Sequence, residues 1–155
     1  MKNLKVKKDV TDKVIQELKN FAKKKLLVGI PEFETKREND GYITNAMIGY
    51  IAEYGSPAQN IPPRPWLMPS MRQSQDEVVS ILKKEALKLE PEKGLEFAGI
   101  KLRSNIQKYI NTSSNFEPLA ETTLKSRAKQ GFKGIKPLIR TGQFRNSVNY
   151  VIVDK

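Results

Sequence analysis

The chain has no cysteine and no histidine among its 155 residues, and a single tryptophan. Without thiols it can form no disulfide and offers no thiolate nucleophile. Without imidazole it lacks the usual neutral-pH general base and the nitrogen ligand of zinc sites. Long hydrophobic runs are missing too: the longest, Leu26 to Ile30, is far too short to span a bilayer. The lysine-rich start MKNLKVKK leads into an amphipathic pattern rather than a secretory core. These absences remove much of enzymology and predict an intracellular protein, or one assembled from an intracellular pool. The length suits one domain with a real core.

What the chain has in excess is positive charge, +11 in formal net terms. Residues 1–30 carry 9 basic and 3 acidic side chains, residues 31–91 carry 7 and 9, and residues 92–155 carry 12 and 5. Both ends are therefore basic and the middle is not. That distribution suits contact with a polyanion such as DNA, or with an acidic protein ring, in a salt-dependent way. It suits equally a solvated surface. Lys2, Lys5, Lys7 and Lys8 at one end, and Lys129, Lys133 and Lys136 toward the other, are the candidate contacts.

Hydrophobic periodicity predicts an α+β fold in one domain, a small antiparallel sheet packed against several amphipathic helices. Asp9 is the expected cap of a first helix with Val10, Val14, Leu18, Phe21 and Ala22 on one face. Leu26 to Ile30 reads as a short buried strand stopped by Pro31. EFETKRENDG, charged and aperiodic, predicts an exposed loop at about 31–42. Thr44 caps a helix with Ala46, Met47, Tyr50, Ile51 and Tyr54 on one side and Gly55 at its end. An extended proline arm is expected over about 56–65. Leu67, Met71, Val78, Leu82 and Leu89 then form one stripe of a long helix ended by Pro91 and Gly94. Leu95, Ala98, Leu102, Ile106 and Tyr109 form the facing stripe of its partner, joined through PEKG in a helical hairpin. Glu121 to Lys129 is helix-compatible, QGFKGIKP is a basic loop, and Thr141 caps a short turn through Phe144 and Arg145. Val148, Tyr150 and Ile152 alternate as a terminal strand, for which Leu26 to Ile30 is the natural partner.

Two segments stand out chemically. In PPRPW, three prolines fix φ and withhold amide N–H groups, so Pro62, Pro63 and Pro65 hold Arg64 and Trp66 on a stiff segment. Either these two side chains dock on another surface, as Arg and Trp often do at interfaces, or Trp66 folds back onto its own core. In PLIRTGQFRNSV, Arg140 and Arg145 flank Thr141 and Gly142, where free N–H groups could meet an anion. The plainer reading is a capped turn before a strand. Asp76 and Glu77 are adjacent on a helix and point apart, and Glu32 and Glu34 sit in the charged loop, so neither is an acid–base pair. QGFKGIKP lacks the GK[ST] ending of a phosphate loop. Met47, Met68 and Met71 are core or interface filler. No metal, cofactor or catalytic residue is indicated.

In this order, strand, NAMIGYIAEYGSPAQNIPPRPWLMPSM, two amphipathic helices, PLAETTLKSRA and PLIRTGQFRNSVNYVIV, the chain resembles a family of tailed-bacteriophage proteins. These are the virion-morphogenesis or tail-completion proteins of the neck, where head and tail join. Tyr54 and Trp66 stand where that family commonly has Phe, and Arg140 where it often has an acid. The resemblance implies a structural protein without enzymatic activity, assembled in the host cytoplasm and resident in the virion. It would form a homo-oligomeric ring, a hexamer favoured, as tail terminator or connector. Its neighbours would be the portal or connector, the tail tube or terminator, and the genomic DNA passing through the channel, with no membrane partner. With it the subunit or partner interface is expected on Tyr54, Ile61, Pro62, Pro63, Arg64, Pro65, Trp66, Arg140, Thr141, Gly142 and Arg145. The competing expectation is a free-standing basic nucleic-acid-binding protein, weakened by the scatter of its basic residues over several elements.

Overall fold

Two strands from distant parts of the sequence pair with each other. The structure, a computed structural model, describes residues 8–31, 33, 43–88, 90–112 and 114–155. The elements run α1 (Lys8–Ala22), β1 (Lys24–Gly29), α2 (Asn45–Tyr54), α3 (Met68–Leu87), α4 (Pro91–Thr112), α5 (Glu121–Lys129), α6 (Gln143–Asn146) and β2 (Asn149–Asp154). β1 and β2 pair antiparallel, with Leu26 opposite Ile152 and Val28 opposite Tyr150. The fold is α+β in a single domain, and the expected strand pairing is the one observed. β1 is half-buried by alternation rather than fully buried, since Leu27 faces outward.

α4 is the central element, touching α3, both strands, α1 and α6. Its inward stripe of Leu95, Ala98, Leu102, Ile106 and Ile110 is buried, as 3.6-residue periodicity requires. Ile106, Ile110 and Val148 meet Trp66, Phe116 and Phe144 in the main cluster. The sheet approaches α4 closely at Gly99, where any side chain would overlap the Tyr150 ring. The long helical hairpin is α3 with α4. Its ends differ from expectation: α3 stops at Leu87, while Pro91 and Gly94 lie in the first turn of α4. Proline has no N–H to lose at a helix start, so it opens the second helix instead of ending the first. Leu89 lies outside the described residues.

The most buried positions of α3 are polar: Ser70, Ser74 and Glu85. Ser70 donates to the Trp66 carbonyl at 2.7 Å and Ser74 to that of Ser70 at 2.8 Å. Asn105 of α4 donates to the Ser74 hydroxyl at 3.0 Å and to the Glu77 carboxylate at 2.9 Å. Small side chains thus admit α4, and among the described residues no buried side-chain nitrogen or oxygen is left without a hydrogen-bond partner. Asp9 lies inside α1 rather than capping it. Apart from Pro31 and Phe33, the loop expected at 31–42 lies outside the described residues.

Candidate partner-binding cleft

α2 begins and ends as its sequence dictates. The Thr44 hydroxyl accepts from Met47 N at 3.1 Å, and Gly55, at φ 77°, passes so close to Ile61 O and Pro63 N that only glycine fits. Its faces are reversed from expectation. Asn45, Gly49 and Ala52 are buried, while Ala46, Met47, Tyr50 and Tyr54 face solvent. Tyr50 and Tyr54 are 67% and 65% exposed, with ring centroids 5.0 Å apart. Gly49 sits against Ile30, Trp66 and Phe144, so it is the indole that claims the small-residue side of α2.

The proline segment is shorter and better anchored than expected. Ser56 and Ile61 exchange backbone hydrogen bonds of 2.8 and 3.0 Å around a 3-10 turn at Pro57–Gln59, leaving 62–66 as the extended stretch. That stretch lies along α2, with Arg64 N donating to Ala52 O at 2.6 Å. Pro62, Pro63 and Pro65 are exposed, but Arg64 and Trp66 are only 8% and 3% exposed. Of the two readings left open, the one in which Trp66 folds back onto its own core is observed, and Arg64, expected at an interface, is likewise held within its own chain. The Trp66 indole donates to Gly49 O at 2.9 Å and meets Phe144 edge-on at 5.1 Å. The Arg64 guanidinium donates to the Glu117 carbonyl and, at 2.7 Å, to that of Pro118. Burial lowers its pKa, and the field of the Glu117 carboxylate acts in the opposite sense.

Glu53 fixes where α3 starts. Its carboxylate accepts from Trp66 N at 2.8 Å, Leu67 N at 2.9 Å and Met68 N at 3.1 Å, satisfying the donors that a helix N-terminus leaves open. No local sequence signal marks this cap, which reaches across from another helix.

Between α2, the proline stretch and the segment before α6 lies a cleft of about 500 Å3. Ile43, Ile51, Ile61, Leu119, Leu138 and Phe144 give it apolar walls; Arg64, Arg127 and Arg140 supply cations, and Thr141 and Gly142 close one side. Arg127 Nη1 donates to Gly134 O at 3.2 Å and Lys136 O at 3.0 Å, pinning the basic loop. Its pKa is lowered, first by burial and then by repulsion from Arg140 and Arg64. Arg140 donates to the Gln130 side chain at 2.6 Å and lies 4.8 Å from the Phe132 ring centroid. Among the described residues, no carboxylate forms an ion pair with any of the three.

Of Arg140 and Arg145, expected to flank one anion site at Thr141 and Gly142, only Arg140 lines the cleft. Arg145 turns away to Asn111 at 3.2 Å and to Asn146 at 3.0 Å. Gly142, at φ 83°, occupies the cap position of the four-residue α6 expected for Thr141, whose hydroxyl accepts from Gln143 N at 3.4 Å. Arg127 went unremarked in the sequence, because only the fold brings the end of α5 beside Arg64. Lys129, Lys133 and Lys136 are exposed, and Lys136 donates to Asn111 O at 2.9 Å. Lys2, Lys5, Lys7 and the Lys8 side chain lie outside the described residues.

Among the described residues no group of three or more acids is placed to hold a metal ion, and no helix is long and apolar enough to cross a membrane. The chain matches no protein-family model, no curated protein and no solved structure at a significant level.

Proposed function

We propose that this chain is a non-enzymatic structural protein of the tailed-bacteriophage neck, completing the tail or joining head to tail as one subunit of a ring, six copies favoured, around the DNA path. One observation carries the reading. The two blocks on which the resemblance rests, IPPRPWL and PLIRTGQF, are far apart in sequence yet build one cleft, with Trp66 against Phe144 and with Arg64 and Arg140 on the same walls. A cleft of apolar walls and three guanidinium groups, none of them in an ion pair among the described residues, is suited to receive another protein. Beside it α2 presents Met47, Tyr50 and Tyr54 to solvent, an aromatic face of the composition that interfaces favour. Contacts of a cleft on one subunit with a different patch on the next are head-to-tail, and close into a ring when the rotation permits.

Particles assembled without this protein test the role. Full heads beside unattached tails are the expected outcome, and infectious particles formed normally in its absence overturn it. Tyr54→Asp, on the exposed face of α2, should lower ring formation in native mass spectrometry while leaving the fold intact.

The second reading, a free-standing nucleic-acid-binding protein, draws on residues 121–145, where seven basic side chains face one acid in the sequence. Binding to random duplex should then be tight and fall steeply with added salt. The neck reading expects weak binding by the isolated subunit at physiological salt, with the basic segment lining the channel only in the assembled ring.

A further inference from the structure

Each guanidinium group of the cleft is held in place by neutral acceptors of its own chain. Arg64 donates to two main-chain carbonyls, Arg127 to those of Gly134, Lys136 and Ile139, and Arg140 to the Gln130 side chain while lying over the Phe132 ring. The Glu117 carboxylate offsets part of this charge: its field acts on Arg64, and it lines a neighbouring hollow with Arg64 rather than the cleft. Arg127 feels instead its burial and the repulsion of Arg140 and Arg64. No acid is among the described residues that line the cleft. A bare phosphate would leave the aliphatic and aromatic walls unfilled, and a neutral apolar segment would deepen the burial of Arg127 with nothing in return. A bulky apolar side chain with a carboxylate beside it answers both needs, and guanidinium groups already fixed lose little freedom in meeting it. The formal charge of +11 also draws an acidic partner from a distance, an advantage that a second copy does not have.

We propose, resting on the reading of this cleft as a protein-binding surface, that its occupant is an acidic peptide segment of a different protein. A bulky apolar side chain of that segment sits against Ile51, Leu138 and Phe144, and an adjacent carboxylate meets Arg127 and Arg140.

The test pans a random peptide library against the full chain, then titrates the enriched sequences, resynthesised with capped ends, by fluorescence polarisation. Enrichment of peptides that set an aspartate or glutamate beside a bulky apolar residue is expected. Their affinity should fall at least about tenfold for Arg140→Glu, and likewise for Thr141→Trp, which crowds the cleft wall. Both positions are exposed, so circular dichroism should report an unchanged fold. Replacing the acid of the peptide by its amide, or its bulky residue by glycine, should each weaken binding at least about tenfold. Enriched peptides without acids, no enrichment at all, or binding that survives both protein substitutions overturns the inference. Wild-type self-association that Arg140→Glu abolishes gives the cleft to a second copy, and duplex DNA binding that it abolishes gives the cleft to DNA; either outcome also overturns it. The first of these leaves the ring reading standing, and the particle images test the neck role whatever fills the cleft.

Discussion

Arg64 shows how a residue's chemistry can be legible while its location is not. Its guanidinium was recognisable as an anchor, but the acceptors are main-chain carbonyls more than fifty residues away, where no sequence pattern could place them. Arg64→Lys should destabilise the fold by about 1–3 kcal/mol in urea titration, since an ammonium cannot fork to both carbonyls and one stays buried without a donor. Trp66→Phe loses the bond to Gly49 O and also the indole atoms packed on Gly49, and should cost about 1–3 kcal/mol. Trp66→Ala opens a cavity and should cost about 3–5 kcal/mol. Substitutions here are therefore unsuitable probes of a subunit contact, because each changes the stability of the fold itself. Gly99→Ala should also destabilise, by about 1–3 kcal/mol, because overlap with Tyr150 outweighs the gain in helix propensity of about 1 kcal/mol.

At the scale of elements, periodicity reported the presence of the long helices and of both strands. It failed where burial is decided by a distant partner. The apolar stripe of α2 faces outward because Trp66 needs the close approach that Gly49 provides, and the buried face of α3 is serine because α4 comes near. Glu53 is the other element-scale device, tying α2 to the start of α3. Replacing it with Gln removes the charge at that helix N-terminus and should lower stability by about 1 kcal/mol, read from denaturant midpoints. Glu77 links α3 to α4 through Lys101 at 2.9 Å and Asn105, and these bonds depress its pKa below the ordinary 4.5. A depressed carboxylate stabilises above its unfolded pKa, and the contribution is lost as pH falls through the folded value. Wild type should therefore lose its advantage over Glu77→Gln below about pH 4.5, with the two midpoints converging in acid.

The whole molecule divides by sequence separation. The α3–α4 hairpin is local, whereas β1 and β2 are joined across most of the chain. Removing residues 149–155 should strip β1 of its partner and uncover the α4 surface under Tyr150, giving a helical but loosely packed protein with strong dye binding and no sharp thermal transition. The single α+β domain was legible as a whole because only one candidate partner existed for each strand. The cleft was not, since its three arginines come from three separate segments.

The long-range pairing of Leu26 and Val28 with Ile152 and Tyr150 should make the sheet the late step of folding. Loop closure over so many residues is slow relative to helix formation, so β1 should stay an unpaired edge after the local hairpin has formed. Lys24 and Lys25 open β1 itself and Lys23 precedes it, and their charge should discourage one unfinished molecule from zipping onto another before its own last strand arrives.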